Sequence, residues 1–327
     1  MGKKREPVVA TFLRGRDAPN IDGADQMREV FINRDLEGLV RVLDEHPGSW
    51  KAELCIMRRT RGDENMHEGP VAHFAIAYGW TAAIKVLAQG GDPLDTPHPD
   101  TKHTPILHAA RYGRTGVVLQ LMKMGKPLEA DGISVLEMLV KSKKSTRGRN
   151  RVAETAAILV QAGQDPWKQD YRGKSLPVIC LETRQLDLCS ALMALGDGPE
   201  EQYEATHQAF IEHLSTSIDM ETNFRFLRAL QAIGRAPSLS FMAQALQKWC
   251  AGSPGDRNIA SWGREDMLLK LIEKCAESPM DMEDAKVAHQ VLSEFKNISP
   301  TLVAALEAAV LSETTVGVSS GMRRRSL

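Results

Sequence analysis

The sequence predicts an all-α protein. A solenoid of about five stacked helix pairs is expected over residues 21–199, followed by an α-helical domain over 200–312. A basic tail is expected at 1–20, and a flexible basic tail at 313–327. Three observations carry this. Two segments with the same order of small, apolar and glycine positions lie 34 residues apart, as Gly79 and Gly113 mark, and a fixed period of this size signals stacked repeats. From Tyr203 onward, apolar residues recur at i, i+3 and i+4, the stripe of a helix that buries one face. Finally, 327 residues with 43% hydrophobic and 25% charged content match a globular chain large enough to bury a core.

In chain order, Met1 to Arg5 opens on basic residues, but the apolar run Val8 to Leu13 is too short for a signal peptide. Glu6 stands where a myristoylation motif needs Ser or Thr. The segment Phe31 to Leu43 has helix-pair spacing and is expected to cap the array with a polar outer face, because a terminal repeat meets water. Next comes Pro70-Val71-Ala72-His73-Phe74-Ala75-Ile76-Ala77-Tyr78-Gly79, then Ile84, Val86 and Leu87, then Gly90-Gly91-Asp92-Pro93. The same grammar returns in Thr104-Pro105-Ile106-Leu107-His108-Ala109-Ala110-Arg111-Tyr112-Gly113, with a second helix through Met122 and a stop at Gly125. Thr104 and Pro105 suit a helix cap and first turn. A third unit runs from Gly132 to Pro166, interrupted between its helices, and a fourth from Asp170 to Gly196.

These units resemble ankyrin repeats, whose period is about 33 residues. The resemblance covers residues 21–199 and is strongest over 70–93 and 104–125. His73 occupies the family's histidine slot, and Leu107 replaces it in the next unit. The resemblance implies a concave surface of hairpin fingers and first helices that recognises another protein, with no catalysis by the repeats and no cofactor.

Finger positions are therefore the candidate partner-binding residues. They are Asp95, His98, Asp100, Lys102 and His103 in one finger, Glu129 and Asp131 in the next, and Trp167, Gln169, Asp170, Tyr171 and Arg172 in a third. Trp167 and Tyr171 are the expected anchors, since aromatic side chains dominate interface energetics. The interruption of the third unit carries Lys141, Lys143, Lys144, Arg147, Arg149 and Arg151 with no acid, a basic loop suited to an acidic partner. It contains no aromatic residue, which argues against base-specific nucleic-acid readout. The net charge of −1 argues against a wholly basic nucleic-acid binder. No apolar run is long enough to span a membrane.

Other motifs lead nowhere specific. His98, His103 and His108 recur every five residues, a spacing that does not stack side chains on one helix face. Gly173-Lys174-Ser175 lacks the upstream glycine of a phosphate loop. Five scattered cysteines without a Cys-x-x-Cys pair fit a reduced, cytoplasmic protein, and Cys180 and Cys189 fall on apolar helix positions. After Pro199 the repeat grammar stops, and amphipathic helices follow to Leu311, the last opened by Ser299-Pro300. The expected function is a non-catalytic scaffold or adaptor. The alternatives are a microbial or viral effector that seizes a host protein, with nuclear or host-cell delivery, and an enzyme built on His207, Glu212, His213, Asp219, Cys275 and His289.

Overall fold

The computed structural model describes residues 9–11, 21–60, 63–142, 149–216, 220–251, 262–276, 281–295 and 298–321. Among these residues are sixteen α-helices and five strands, so the chain is mostly helical. It divides into two compact units, Met1–Asp165 and Pro166–Leu327, whereas the sequence places its boundary at 199. None of the described helices is long and apolar enough to cross a membrane.

The first unit contains α1 (Ala24–Asn33), α2 (Leu36–Glu45), α3 (Val71–Ala77), α4 (Thr81–Gln89), α5 (Pro105–Arg111), α6 (Thr115–Lys123), α7 (Val135–Val140) and α8 (Arg149–Gln161). Three of its helix pairs share one joint. A residue with positive φ ends the first helix, and the next N–H reaches back five residues. Arg34 (φ 53°) precedes Asp35, which donates to the Val30 carbonyl at 3.0 Å. Gly79 precedes Trp80, which donates to Ala75 at 2.8 Å, and Gly113 precedes Arg114, which donates to Ala109 at 2.9 Å. This Schellman geometry satisfies the last carbonyls and reverses the chain. Second helices close the same way at Gly91, Gly125 and Gly163, where Asp92, Lys126 and Gln164 donate to Leu87, Leu121 and Leu159.

First helices pack on first helices, α3 on α5 and α5 on α7. Second helices likewise pack on one another through α2, α4, α6 and α8. Ala75, Ala109 and Ala110 are fully buried and let the backbones approach, while Ile84, Leu87, Val118 and Leu121 fill the second layer. Each of these large aliphatic side chains contributes about 1.5–3 kcal/mol by burial. Pro105 begins α5, but Thr104 makes no capping bond; the side-chain cap in this unit that matches the repeat register is Ser134, which accepts from Glu137 N at 3.0 Å. The outer face of the first pair is not wholly polar as expected, because Ile32, Leu36 and Val40 are exposed there.

A β-sheet also stands between the first two pairs, outside the sequence expectation. Strands β1 (Val9–Thr11), β2 (Glu53–Thr60) and β3 (Asp63–Pro70) are antiparallel, with β2 paired to β3 from Glu53↔Pro70 to Thr60↔Asp63. The run Asp63-Glu64-Asn65-Met66-His67-Glu68 shows no apolar alternation, so period-two reading gives no signal. β3 leads directly into α3, and Val71 N bonds the Ala52 carbonyl at 3.2 Å.

The second unit contains α9 (Leu176–Glu182), α10 (Leu186–Ala194), α11 (Glu200–Thr216), α12 (Met220–Ala232), α13 (Leu239–Ala251), α14 (Trp262–Ala276), α15 (Met282–Leu292) and α16 (Pro300–Gly321). The α9–α10 joint repeats that of the first unit, with Arg184 at φ 59° and Gln185 donating to Cys180 at 2.7 Å. Beyond it the packing alternates: α9, α11, α13 and α15 contact in series, and so do α10, α12, α14 and α16. Tyr203, Phe210, Phe226, Leu230, Leu246, Leu271 and Ile272 form the core. The Asp284 carboxylate on α15 caps α13 by accepting from Leu239 N at 2.8 Å and Ser240 N at 2.9 Å. Ser299 caps α16 through Leu302 N, as the sequence predicts. That helix continues to Gly321, so residues 313–321 are helical where a flexible tail is expected.

Candidate functional site

Each finger is a tight turn locked from below, with its tip left to solvent. In finger 1, His98 N bonds the His103 carbonyl at 2.9 Å, and Lys102 N bonds the His98 carbonyl at 2.9 Å. Asp92 underlies it, buried, accepting from Leu94 N at 2.8 Å; burial pushes its carboxyl up. In finger 2, β4 (Glu129–Ala130) pairs with β5 (Ile133–Ser134) across Asp131 (φ 53°) and Gly132 (φ 74°). Two consecutive positive φ values make this a two-residue hairpin turn of the kind Asp-Gly favours. Gln164 clamps it, accepting from Leu136 N at 2.8 Å and donating to the Leu128 carbonyl at 2.7 Å.

The third finger lies in the second unit. Gln169 bridges Ser175, and the Asp170 carboxylate accepts from Arg172 N at 2.8 Å, Lys174 N at 3.2 Å and Arg172 Nε at 3.1 Å. This hydrogen bonding raises the Arg172 guanidinium pKa, and Glu182 pairs with both Arg172 and Lys174. At the tip, Tyr171 is 91% exposed, with the Arg172 guanidinium 5.8 Å from its ring.

The sequence-derived contact residues therefore separate into tips and supports. Asp95, Asp100, Lys102, Glu129, Asp131, Gln169, Tyr171 and Arg172 are exposed. Asp170 and His98 are buried and hold turns together. Trp167 is corrected most sharply. It is 5% exposed, donates from Nε1 to the Gly196 carbonyl at 2.9 Å, and packs edge-on against Tyr203 with centroids 4.5 Å apart. It is a core residue, because α11 brings Tyr203 over it.

His103 is half-buried and belongs to a cluster that sequence spacing did not disclose. The rings of His73, His98 and His108 lie within 4.7–5.2 Å of one another, His98 and His108 stacked and His73 edge-on to both. His73 Nε2 donates to the Thr96 carbonyl at 2.9 Å, and Asp100 N donates to His98 Nδ1 at 3.3 Å. Gly69 leaves room for the His98 ring, since a Cβ there would sit 3.0 Å from Nε2. Burial drives the pKa of His73 down to about 4 and that of His108 to about 2, with repulsion among the rings adding to it. Among the described residues, no group of three or more His, Cys, Asp or Glu is arranged to hold a metal ion. Beside finger 1, a cavity of about 130 Å³ is lined by Trp50, Lys51, Pro70, Leu94, Thr96 and Pro105, among others.

The basic loop is shorter than expected. Helix α8 begins at Arg149, so Arg149 and Arg151 belong to a helix, and Arg151 is exposed on it. Lys141 pairs with the buried Glu137 at 2.8 Å. Lys143, Lys144 and Arg147 lie outside the described residues.

Two of the acid–base groups of 200–312, His207 and His213, face structural partners. His207 Nε2 donates to the Arg235 carbonyl at 2.8 Å, and burial lowers its pKa. Burial also lowers that of His213, which meets Asn223. Burial pushes the Cys275 thiol up to about 12, and Cys180 and Cys189 are likewise raised, which leaves all three as thiols. Asp219 lies outside the described residues. A groove of about 430 Å³ between the end of α14 and the start of α16 holds Glu273 but none of the histidines. No family model matches the chain, and no curated protein is significantly similar to it.

Proposed function

We propose that the chain is a non-catalytic interaction protein built from ankyrin-type helix pairs, binding a protein partner through its finger tips. One observation carries the reading. Tyr171 projects almost wholly into solvent from a turn that the buried Asp170 carboxylate holds with three hydrogen bonds. Tyrosine is enriched at interface hot spots, and a turn fixed beforehand loses little entropy on binding. The shared joints at Gly79, Gly113 and Arg184 support the ankyrin resemblance. The hydrogen bonds of His207 and His213 and the burial of the Cys275 thiol favour binding over catalysis by the second unit.

The test is capture by the full chain and by its Tyr171→Ala variant from the same native lysate. The expected result is a protein retained by the wild type and reduced at least about tenfold by the variant, the range of an aromatic hot spot. Equal retention by both removes Tyr171 from the interface.

A further inference from the structure

The histidine cluster gathers side chains from three successive segments of the first unit. His73 comes from α3, His98 and His103 from the connection between α4 and α5, and His108 from α5. Hydrogen bonds fix which nitrogen of two rings carries the proton. His73 holds it on Nε2, facing the Thr96 carbonyl, and His98 on Nε2, because Nδ1 accepts from Asp100 N. The Nδ1 atoms of His73, His103 and His108 are buried with no hydrogen-bond partner. On His73, whose Nε2 proton already faces Thr96, a second proton would sit on the buried Nδ1 without an acceptor.

The surrounding charges do not relieve this. The groups acting on His73, His103 and His108 are one another, His98 and Arg111, all basic. Tyr112 packs its ring 4.8 Å from His108. Of the acids on neighbouring elements, Glu137 on α7 pairs with Lys141, Asp92 accepts from Leu94 N, and Asp100 meets the cluster through its backbone N–H. On α4, Lys85 is exposed.

We propose that His73, His98, His103 and His108 form a proton-sensitive latch on the 92–104 connection. When neutral, the rings pack together and His73 pins Thr96, so finger 1 is closed on α3 and α5. Mild acid protonates His73 and His108 in the released form and so favours the open finger. The sign follows from the lowered pKa values. The unfolded or released rings titrate near 6.5, while packed His73 titrates at about 4 and His108 at about 2. Between 6.5 and those values the released form binds more protons, so the latch is fully closed above pH 6.5 and weakens as pH falls. Loss of partner binding through Asp95, Asp100 and Lys102 would follow only if the binding reading holds. The latch itself needs no partner.

Hydrogen exchange of the full chain at pH 7.5 and 5.5, corrected for intrinsic rates, is the test. Two depressed histidines allow protection at 94–104 and in α3 to fall about 10- to 100-fold over that step, while α9 is unchanged. His108→Phe places the residue found at the equivalent position of α3, Phe74, and is expected to shrink the fall about tenfold. Imidazole nitrogen NMR of the wild type supplies a readout that survives a variant that fails to fold. His73 and His108 rings that stay neutral at pH 5.5 in the closed form support the latch. Rings that titrate near 6.5 in the folded chain, or protection independent of pH, overturn it.

Discussion

Trp167 and Tyr171 sit four residues apart and have opposite roles. The Trp167 indole fills space over Gly198, where a Cβ would lie 2.4 Å from the ring, and its N–H satisfies the Gly196 carbonyl. Trp167→Ala is therefore expected to cost the second unit about 3–5 kcal/mol, measured by denaturant unfolding. Tyr171→Ala is expected to stay within about 0.5 kcal/mol of wild type in the same measurement. The sequence marks both residues as finger aromatics, and nothing local distinguishes them. The difference is made by Tyr203, 36 residues further on, which closes over one and not the other. The histidine cluster was hidden for the same reason. His98, His103 and His108 fail the test for one helix face, yet a turn folds the first two back toward His108, and His73 arrives from α3.

At the scale of elements, the three fingers place a residue with positive φ two positions before the first helix's N-cap. It is Lys102 (φ 57°) in finger 1, Gly132 (φ 74°) in finger 2 and Gly173 (φ 72°) in finger 3. A side chain there costs about 1–2 kcal/mol, offset by the extra unfolded-state entropy of glycine of about 0.5–1 kcal/mol. Lys102→Gly is thus expected to stabilise the first unit by about 0.5–1 kcal/mol, read from its unfolding midpoint. A loss of stability would show that Lys102 makes a contact outweighing its backbone strain. The helix pairs themselves were legible, because their punctuation is chemical: Gly79, Gly113 and Gly125 stand where the chain must turn with positive φ. The α9–α10 joint uses Arg184 in that role and was placed by spacing alone. The β2–β3 hairpin was not legible, since pairing with a neighbouring strand and not periodicity decides it.

At the scale of the whole chain, each unit stacks helix pairs in the same alternating order. In the first unit the sequence announces this through recurring small residues and glycines. In the second, α11 to α16 follow the same order with one such joint, at Gly234 (φ 69°), where Arg235 N donates to the Leu230 carbonyl at 2.8 Å. Side chains from distant elements also hold these helices. Asp284 caps α13, and Gln231 donates to the Lys274 carbonyl at 2.9 Å. Such pairings span more than 40 residues and leave no local pattern, so 200–312 reads from sequence as a separate helical domain. The exposed Tyr171 sits on a stack of this kind, on a turn that the buried Asp170 carboxylate holds.

The most direct measurement is photocrosslinking from a benzophenone amino acid placed at position 171 of the full chain in native lysate. The exposed Lys270 position on α14 serves as the control. A partner-binding finger gives a discrete protein adduct from position 171 and none from position 270. No adduct at 171, or the same adducts from both positions, would contradict a partner-binding role for this finger.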